Sequence, residues 1–167
     1  KQTNPFKRVL GFGSVRDKKG EEMHKSKGNA IEFNEAADKI GVDVMRWLYL
    51  RTNPEHNVNF GYHVADEIRR FFHLRLWNVY SFFVMYANVD KWKPDQSQKP
   101  KEISKNVLDR WILSRMYGNI KNVTFGPSGD KTKGVENYNT YDAAGNAEVF
   151  IINDLSTWYV RRIRDRV

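Results

Sequence analysis

Cysteine is absent from this 167-residue chain, so it offers neither a disulfide framework nor a thiolate metal site. Histidine is scarce. His24, His56, His63 and His73 are the only four, and no two stand at the His-x-x-x-His spacing that puts a ligand pair on one helix face. That argues against a metal held by this chain alone. Apolar runs fall far short of the roughly 18 residues that a membrane-crossing helix needs, and no signal-peptide pattern opens the chain. A reduced, cytoplasmic setting is the simplest expectation. Acidic residues are the minority charge, 20 against 28 lysines and arginines, for a formal +8. Such an excess favours a polyanionic partner, nucleic acid first, although charge scattered for solubility gives the same count. An initiator methionine and a closing helix cap are also missing. The chain starts at Lys1 and stops at Val167 inside a helical pattern, and so reads as a piece of something longer.

What is present suffices for a packed core: 40% hydrophobic residues, with 14% aromatics. Residues 9–23 predict two short strands around the polar turn "RDKKG", a hairpin closed by Gly20. "FNEAADKIG" predicts a helix capped by Asn34 and ended by Gly41. A second helix over 43–51 stops before Asn53-Pro54, because a residue preceding proline is pushed out of helical geometry. Beyond about residue 61 the pattern turns to long helices. Ile68, Phe72, Leu76, Val79, Phe83 and Tyr86 form one apolar stripe, and Phe71, Phe82 and Met85 a second, which predicts burial from two sides. Pro94 and Pro100 bracket a polar linker. Leu108, Ile112, Met116, Ile120 and Val123 mark a further helix, interrupted by the exposed loop "FGPSGDKTKG". A last helix runs from about 141 to the end, with Ile152, Leu155, Tyr159 and Ile163 inward. The expected fold is mainly α: a β-hairpin and polar loop over 1–60, then a helical bundle over 61–167.

The loop "GEEMHKSKGN", residues 20–29, offers no apolar face to pack. Lys25 and Lys27 bring charge, Ser26 a hydroxyl, and Gly28 a backbone free to bend, which together suit a phosphate. It is not a P-loop, since His24 stands where that motif needs glycine, and Gly11-Phe12-Gly13 lacks the third glycine of a dinucleotide fingerprint. On these residues alone, an ordinary solvated loop after a hairpin accounts for the pattern as well.

Four segments, in order, tip the balance. "MHKSKGNAI" resembles the Lys-Met-Ser-Lys-Ser signature loop of class I aminoacyl-tRNA synthetases. "GVDVMRWLYL" is similar to the helix that follows that loop in their isoleucyl, valyl and leucyl members. "VLDRWILSR" resembles the opening of the anticodon-binding helical domain, and "DLSTWYVRRIRDRV" looks most like the isoleucyl members. The resemblance implies an ATP-dependent ligase, with Mg2+ as the nucleotide's counter-ion, that activates isoleucine as an adenylate and passes it to tRNA(Ile). Lys25 matches the signature's second lysine and Ser26 its final serine, which implies catalytic roles for both. His24, Lys25, Ser26, Lys27, Gly28 and Asn29 are the implied ATP contacts. Glu22 replaces the first lysine and His24 the first serine, so the local charge differs from the family pattern. These 167 residues hold no His-Ile-Gly-His signature, complete nucleotide-binding fold or editing domain, so the chain by itself is expected to be inactive. A non-catalytic RNA-binding helical module, or a valyl or leucyl enzyme, are the other readings.

Arginine crowds the second half. Around "WYVRRIRDR", Trp158 and Arg162 stand one turn apart for a cation–π contact, and Arg161 and Asp165 have ion-pair spacing. Arg161, Arg162, Arg164 and Arg166, with Arg110 and Arg115 beside Trp111, are candidate contacts to the tRNA backbone. An intramolecular network tying the helices together accounts for the same arginines.

Overall fold

The structure, a computed structural model, describes residues 3–7, 9–95, 104–127, 130 and 132–167. Contacts divide the chain into two compact units, residues 1–66 and 67–167.

In the first unit, β1 (Val15–Arg16) pairs in parallel with β2 (Val58–Asn59), Val15 opposite Val58 and Arg16 opposite Asn59. The hairpin expected over 9–23 is therefore corrected to a tight turn. The Asp17 N–H donates to the Glu21 carbonyl at 2.8 Å, and a single antiparallel bridge joins Arg16 to Glu22. Gly13 makes the long-range pairing feasible. Its N–H donates to the Pro54 carbonyl at 2.7 Å, and a Cβ there would lie 2.4 Å from the His56 carbonyl oxygen. Only glycine permits so close a backbone approach.

Helix α1 (Phe33–Ile40) is capped by Glu32 rather than Asn34, the Glu32 carboxylate accepting from the Glu35 N–H at 3.1 Å. Asn34 lies inside the first turn, whereas an acid just ahead of it meets both an orphan N–H and the positive end of the helix dipole. Gly41, at φ 90°, ends α1 as expected and leads directly into α2 (Val42–Leu50). Ala36, Ile40, Val44, Met45, Leu48 and Phe60 are buried, and Tyr49 stacks on Phe60 with ring centroids 6.0 Å apart.

Helix α3 (Tyr62–Ile68) is followed without a break by a π-helical stretch, Arg69–His73, and then by α4 (Leu74–Val89). Phe72 of the first stripe is buried, but the two-sided burial expected of this helix is not found. Phe71 is 59% and Met85 53% exposed, and Leu76 and Phe83 are also open to solvent. In the second unit α4 packs against Phe150–Val160, which covers one of its faces.

Helix α5 (Val107–Phe125) is capped by Asn106, whose Oδ1 accepts from the Leu108 N–H at 2.9 Å. It packs against α6 (Thr140–Val149) and the π-helical stretch Phe150–Val160, with Ile112, Ala143, Ala144 and Ile152 inside. The chain ends through α7 (Arg161–Ile163) and a 3-10 turn, Arg164–Arg166. The expected final helix is thus present in course but leaves α geometry twice. Pro100, one bracket of the predicted linker, lies outside the described residues.

The "FGPSGDKTKG" segment does interrupt the helical pattern, and it is pinched at its neck. Gly126 (φ 82°) and Gly134 (φ 84°) are both buried, and a Cβ on Gly134 would fall 2.4 Å from the Gly126 nitrogen. Lys133 pairs with Asp142, and Asn139 donates to the same carboxylate at 2.8 Å.

Candidate functional site

The loop after β1 folds on local hydrogen bonds. Lys25–Lys27 form one 3-10 turn, the Lys27 N–H donating to the His24 carbonyl at 3.1 Å and the Gly28 N–H to that of Lys25 at 3.2 Å. Gly28 closes the turn in the left-handed region, φ 69°, where a side chain is disfavoured. The tight turn throws Lys25, Ser26 and Lys27 outward. All three are exposed, and none has a side-chain partner among the described residues. Two ammonium groups and a hydroxyl therefore stand ready to meet an anion without first breaking an internal bond.

His24 and Glu22 hold the variant signature positions side by side. The His24 Nε2 lies 3.6 Å from a Glu22 carboxylate oxygen, with both side chains largely in solvent. Glu22 thus faces an imidazole instead of standing alone beside the lysines.

Asn29 is placed differently from its neighbours. Its Oδ1 accepts from the His24 N–H at 2.9 Å, and its Nδ2 donates to Asp17 Oδ2 at 2.9 Å and to the Glu22 carbonyl at 3.1 Å. Those bonds engage both amide hydrogens and the amide oxygen. Asp17, the partner, is the buried charged residue that the sequence did not single out, at 8% exposure. Its other oxygen accepts from the Lys19 and Glu21 N–H groups, each at 2.9 Å. The Asn29 amide, then the Glu21 N–H, hold its carboxyl below the usual aspartate range against the opposing effect of burial. An aspartate three residues ahead of glycine, in "DKKG", is the turn signal through which it was legible.

The arginines of the second unit divide into two groups. Arg115 donates Nε and one terminal nitrogen to Asp154, both at 2.8 Å. Arg166 donates to Asp109 Oδ1 at 2.5 Å and to Oδ2 at 3.5 Å. Asp109 also accepts from Ser104 Oγ at 2.6 Å and the Tyr159 hydroxyl at 3.0 Å. Burial raises the Asp109 carboxyl, but the hydrogen bonds from Arg166, Ser104 and Tyr159 outweigh it and leave it below its ordinary value. Burial, then the hydrogen bond to Asp109 and that carboxylate's charge, push the Tyr159 phenol up. Arg162 lies over the Trp158 ring, 4.5 Å from its centroid, as the spacing predicts. Trp158 in turn meets Trp111 edge to face, with centroids 6.5 Å apart.

Arg110, Arg161 and Arg164 are exposed and make no ion pair among the described residues. The Arg161–Asp165 pair suggested by spacing does not form, because the chain tightens into a 3-10 turn at Arg164 and carries Asp165 off the helical register. The described residues contain no cluster of three or more His, Cys, Asp or Glu that could hold a metal ion, and no helix long and apolar enough to cross a membrane.

Comparison with known proteins adds two findings. Residues 1–61 match the family model described as tRNA synthetases class I (I, L, M and V). Along 96% of its length the chain is 40% identical to an isoleucine–tRNA ligase of Thermus thermophilus and 38% identical to one of Dehalococcoides mccartyi. One of Clostridium tetani is 38% identical over 98% of the chain. In each case the chain spans about 15% of the relative's own length.

Proposed function

We propose that this chain, which is similar along most of its length to one stretch of isoleucine–tRNA ligases, supplies two parts of such an enzyme. The loop around Lys25 serves ATP-dependent activation of isoleucine, and the helical unit contributes contacts to tRNA(Ile). In activation the isoleucine carboxylate oxygen attacks the α-phosphorus of ATP. The bond to the bridging oxygen breaks, and pyrophosphate departs with the electron pair. Negative charge grows on that leaving group, beyond what bound ATP carries. A cation that meets it only then stabilises the transition state more than the ground state.

The observation that carries this reading is the exposed, unpaired trio Lys25, Ser26 and Lys27 on a turn braced from behind. The Lys25 ammonium would meet the leaving phosphates, and the Ser26 hydroxyl would donate to a phosphate oxygen. Lys27, the Gly28 backbone and the His24 imidazole complete the cradle. Mg2+ brought in with ATP would shield the phosphates, held through the nucleotide. The chain as it stands carries one side of that site and by itself catalyses no exchange.

On the tRNA side, Arg110, Arg161 and Arg164 make the phosphate contacts, because their charge is not neutralised internally. Arg115 and Arg166 act first as struts, and Arg162 shares its guanidinium face with Trp158.

Pyrophosphate exchange into ATP by the full-length protein tests the first part. Isoleucine should support exchange in preference to valine or leucine. Lys25→Ala should slow it by about two orders of magnitude or more, the effect of losing one preorganised charge-stabilising donor. An unchanged rate would remove Lys25 from the mechanism, and equal use of valine would remove the isoleucine assignment.

A further inference from the structure

The lysine tips of the loop stand in solvent, yet the backbone beneath them is tied at both ends. His24 and Asn29 flank the turn, and the Asn29 side chain joins them through the His24 N–H at 2.9 Å. The same amide reaches back to the Glu22 carbonyl at 3.1 Å, fixing the strand that leads into the loop. Its remaining bond, 2.9 Å to Asp17 Oδ2, fastens the assembly to a buried carboxylate. Asp17 in turn organises the preceding turn through the Lys19 and Glu21 N–H groups and its own N–H bond to the Glu21 carbonyl. One aspartate and one amide thus hold the approach to the loop, its first residue and its last in a single network.

None of these bonds reaches the Lys25 side chain. What they constrain is where its Cα sits and which way the turn points. A long lysine side chain reaching from an untethered loop would have to order backbone and side chain together as the reaction proceeds. Ordering backbone costs conformational entropy at every residue fixed, and a small misplacement of a catalytic group is felt strongly in rate.

We infer that Asp17 and Asn29 are positioning residues, a clamp that presents Lys25 to the departing pyrophosphate while its ammonium group stays free to move. The inference rests on the activation role proposed for Lys25. It assigns Asn29 to holding the loop, since its amide is already engaged on both sides. Asp17 is charged at neutral pH, so the bond it accepts from Asn29 is charge-assisted and correspondingly strong.

A double-mutant cycle in the full-length protein separates positioning from general support. With Lys25 present, Asn29→Ala should lower kcat for isoleucine-dependent pyrophosphate exchange by about tenfold or more, with KM for ATP and isoleucine changing less than about twofold. With Lys25→Ala already in place, Asn29→Ala should cost less than about twofold, because a clamp that acts through Lys25 has nothing left to place. Equal losses in both backgrounds would overturn the clamp while leaving the role of Lys25 standing. A Lys25→Ala variant as active as the parent would overturn both. Asp17→Asn, close in size to the native residue, guards against simple misfolding. It should speed amide hydrogen exchange at Lys19, Glu21 and His24 and leave protection in α1 and α2 unchanged. Unaltered exchange at those three amides would also overturn the clamp.

Discussion

Two places where positive charge gathers, the loop around Lys25 and the second unit around Arg162, handle it in opposite ways. In the loop the backbone is fixed by hydrogen bonds among uncharged or acidic groups, and the lysine tips are left unpaired. In the second unit three of the cations themselves do the fastening. Arg166 closes on Asp109, Arg115 on Asp154, and Arg162 on the face of Trp158. A net charge of +8 says nothing about this division. Whether a cation is available to a phosphate depends on whether the fold has already given it a partner, and sequence neighbours do not decide that.

The contrast can be pressed experimentally. The largest effect is expected at Lys25, whose loss should cost catalysis while leaving the loop folded. Next comes Asp109. Asp109→Ala strips Tyr159, Ser104 and Arg166 of a shared acceptor, and should destabilise the packing of α5 by about 2–3 kcal/mol as the hydrogen bonds from three donor residues are lost. Hydrogen exchange at the α5 amides would measure it. A loss within experimental error would mean that the network is ornamental and that Arg166 is as available as Arg161.

The arginines sharpen the same point at smaller scale. Arg161→Ala or Arg164→Ala should each reduce the salt dependence of tRNA affinity by about one counter-ion, and Arg115→Ala should leave that slope in place. A reduced slope for Arg115 would break the distinction between strut and contact. The smallest effect concerns acid. The Asp17 carboxyl is held down chiefly by Asn29, and Asp109, despite burial, by Arg166, Ser104 and Tyr159. A depressed folded value means that each contribution is complete above the usual aspartate range and disappears as pH falls through the lowered value. Exchange protection at Glu21 and α5 should therefore hold down to mild acidity and fail only below that range.

The loop was legible in one dimension because its residues are contiguous and no core explains them. Its bracing was not. Asn29 looked like one more polar ligand, and its three bonds appear only once Asp17, Glu22 and His24 are brought around it. Strand pairing failed for a related reason: the partner of Val15 lies beyond two helices at Val58, whereas a hairpin reading looks only to the next turn. Helix α1 shifted its cap by two residues, since Asn34 and Glu32 both suit a helix start and only the first turn's position chooses between them. Periodicity located α4 well but overstated its burial, because an apolar stripe records what a face can pack against and not whether these residues supply it. The Trp158–Arg162 contact, a pure matter of helical spacing, forms as that spacing predicts. Arg161–Asp165 had comparable spacing but lost its register where the helix tightened.

The pinch between Gly126 and Gly134 carries a consequence for how this region can change over time. Chain leaves α5 and returns toward α6 through a single point of contact between two backbones that no side chain separates. Lys133, just ahead of the second glycine, is tied to Asp142 of α6, and lengthening a surface loop closed at its neck costs little entropy. Insertions between the two glycines that keep Lys133 in place should therefore be tolerated, whereas a methyl group on either glycine would force the buckle open.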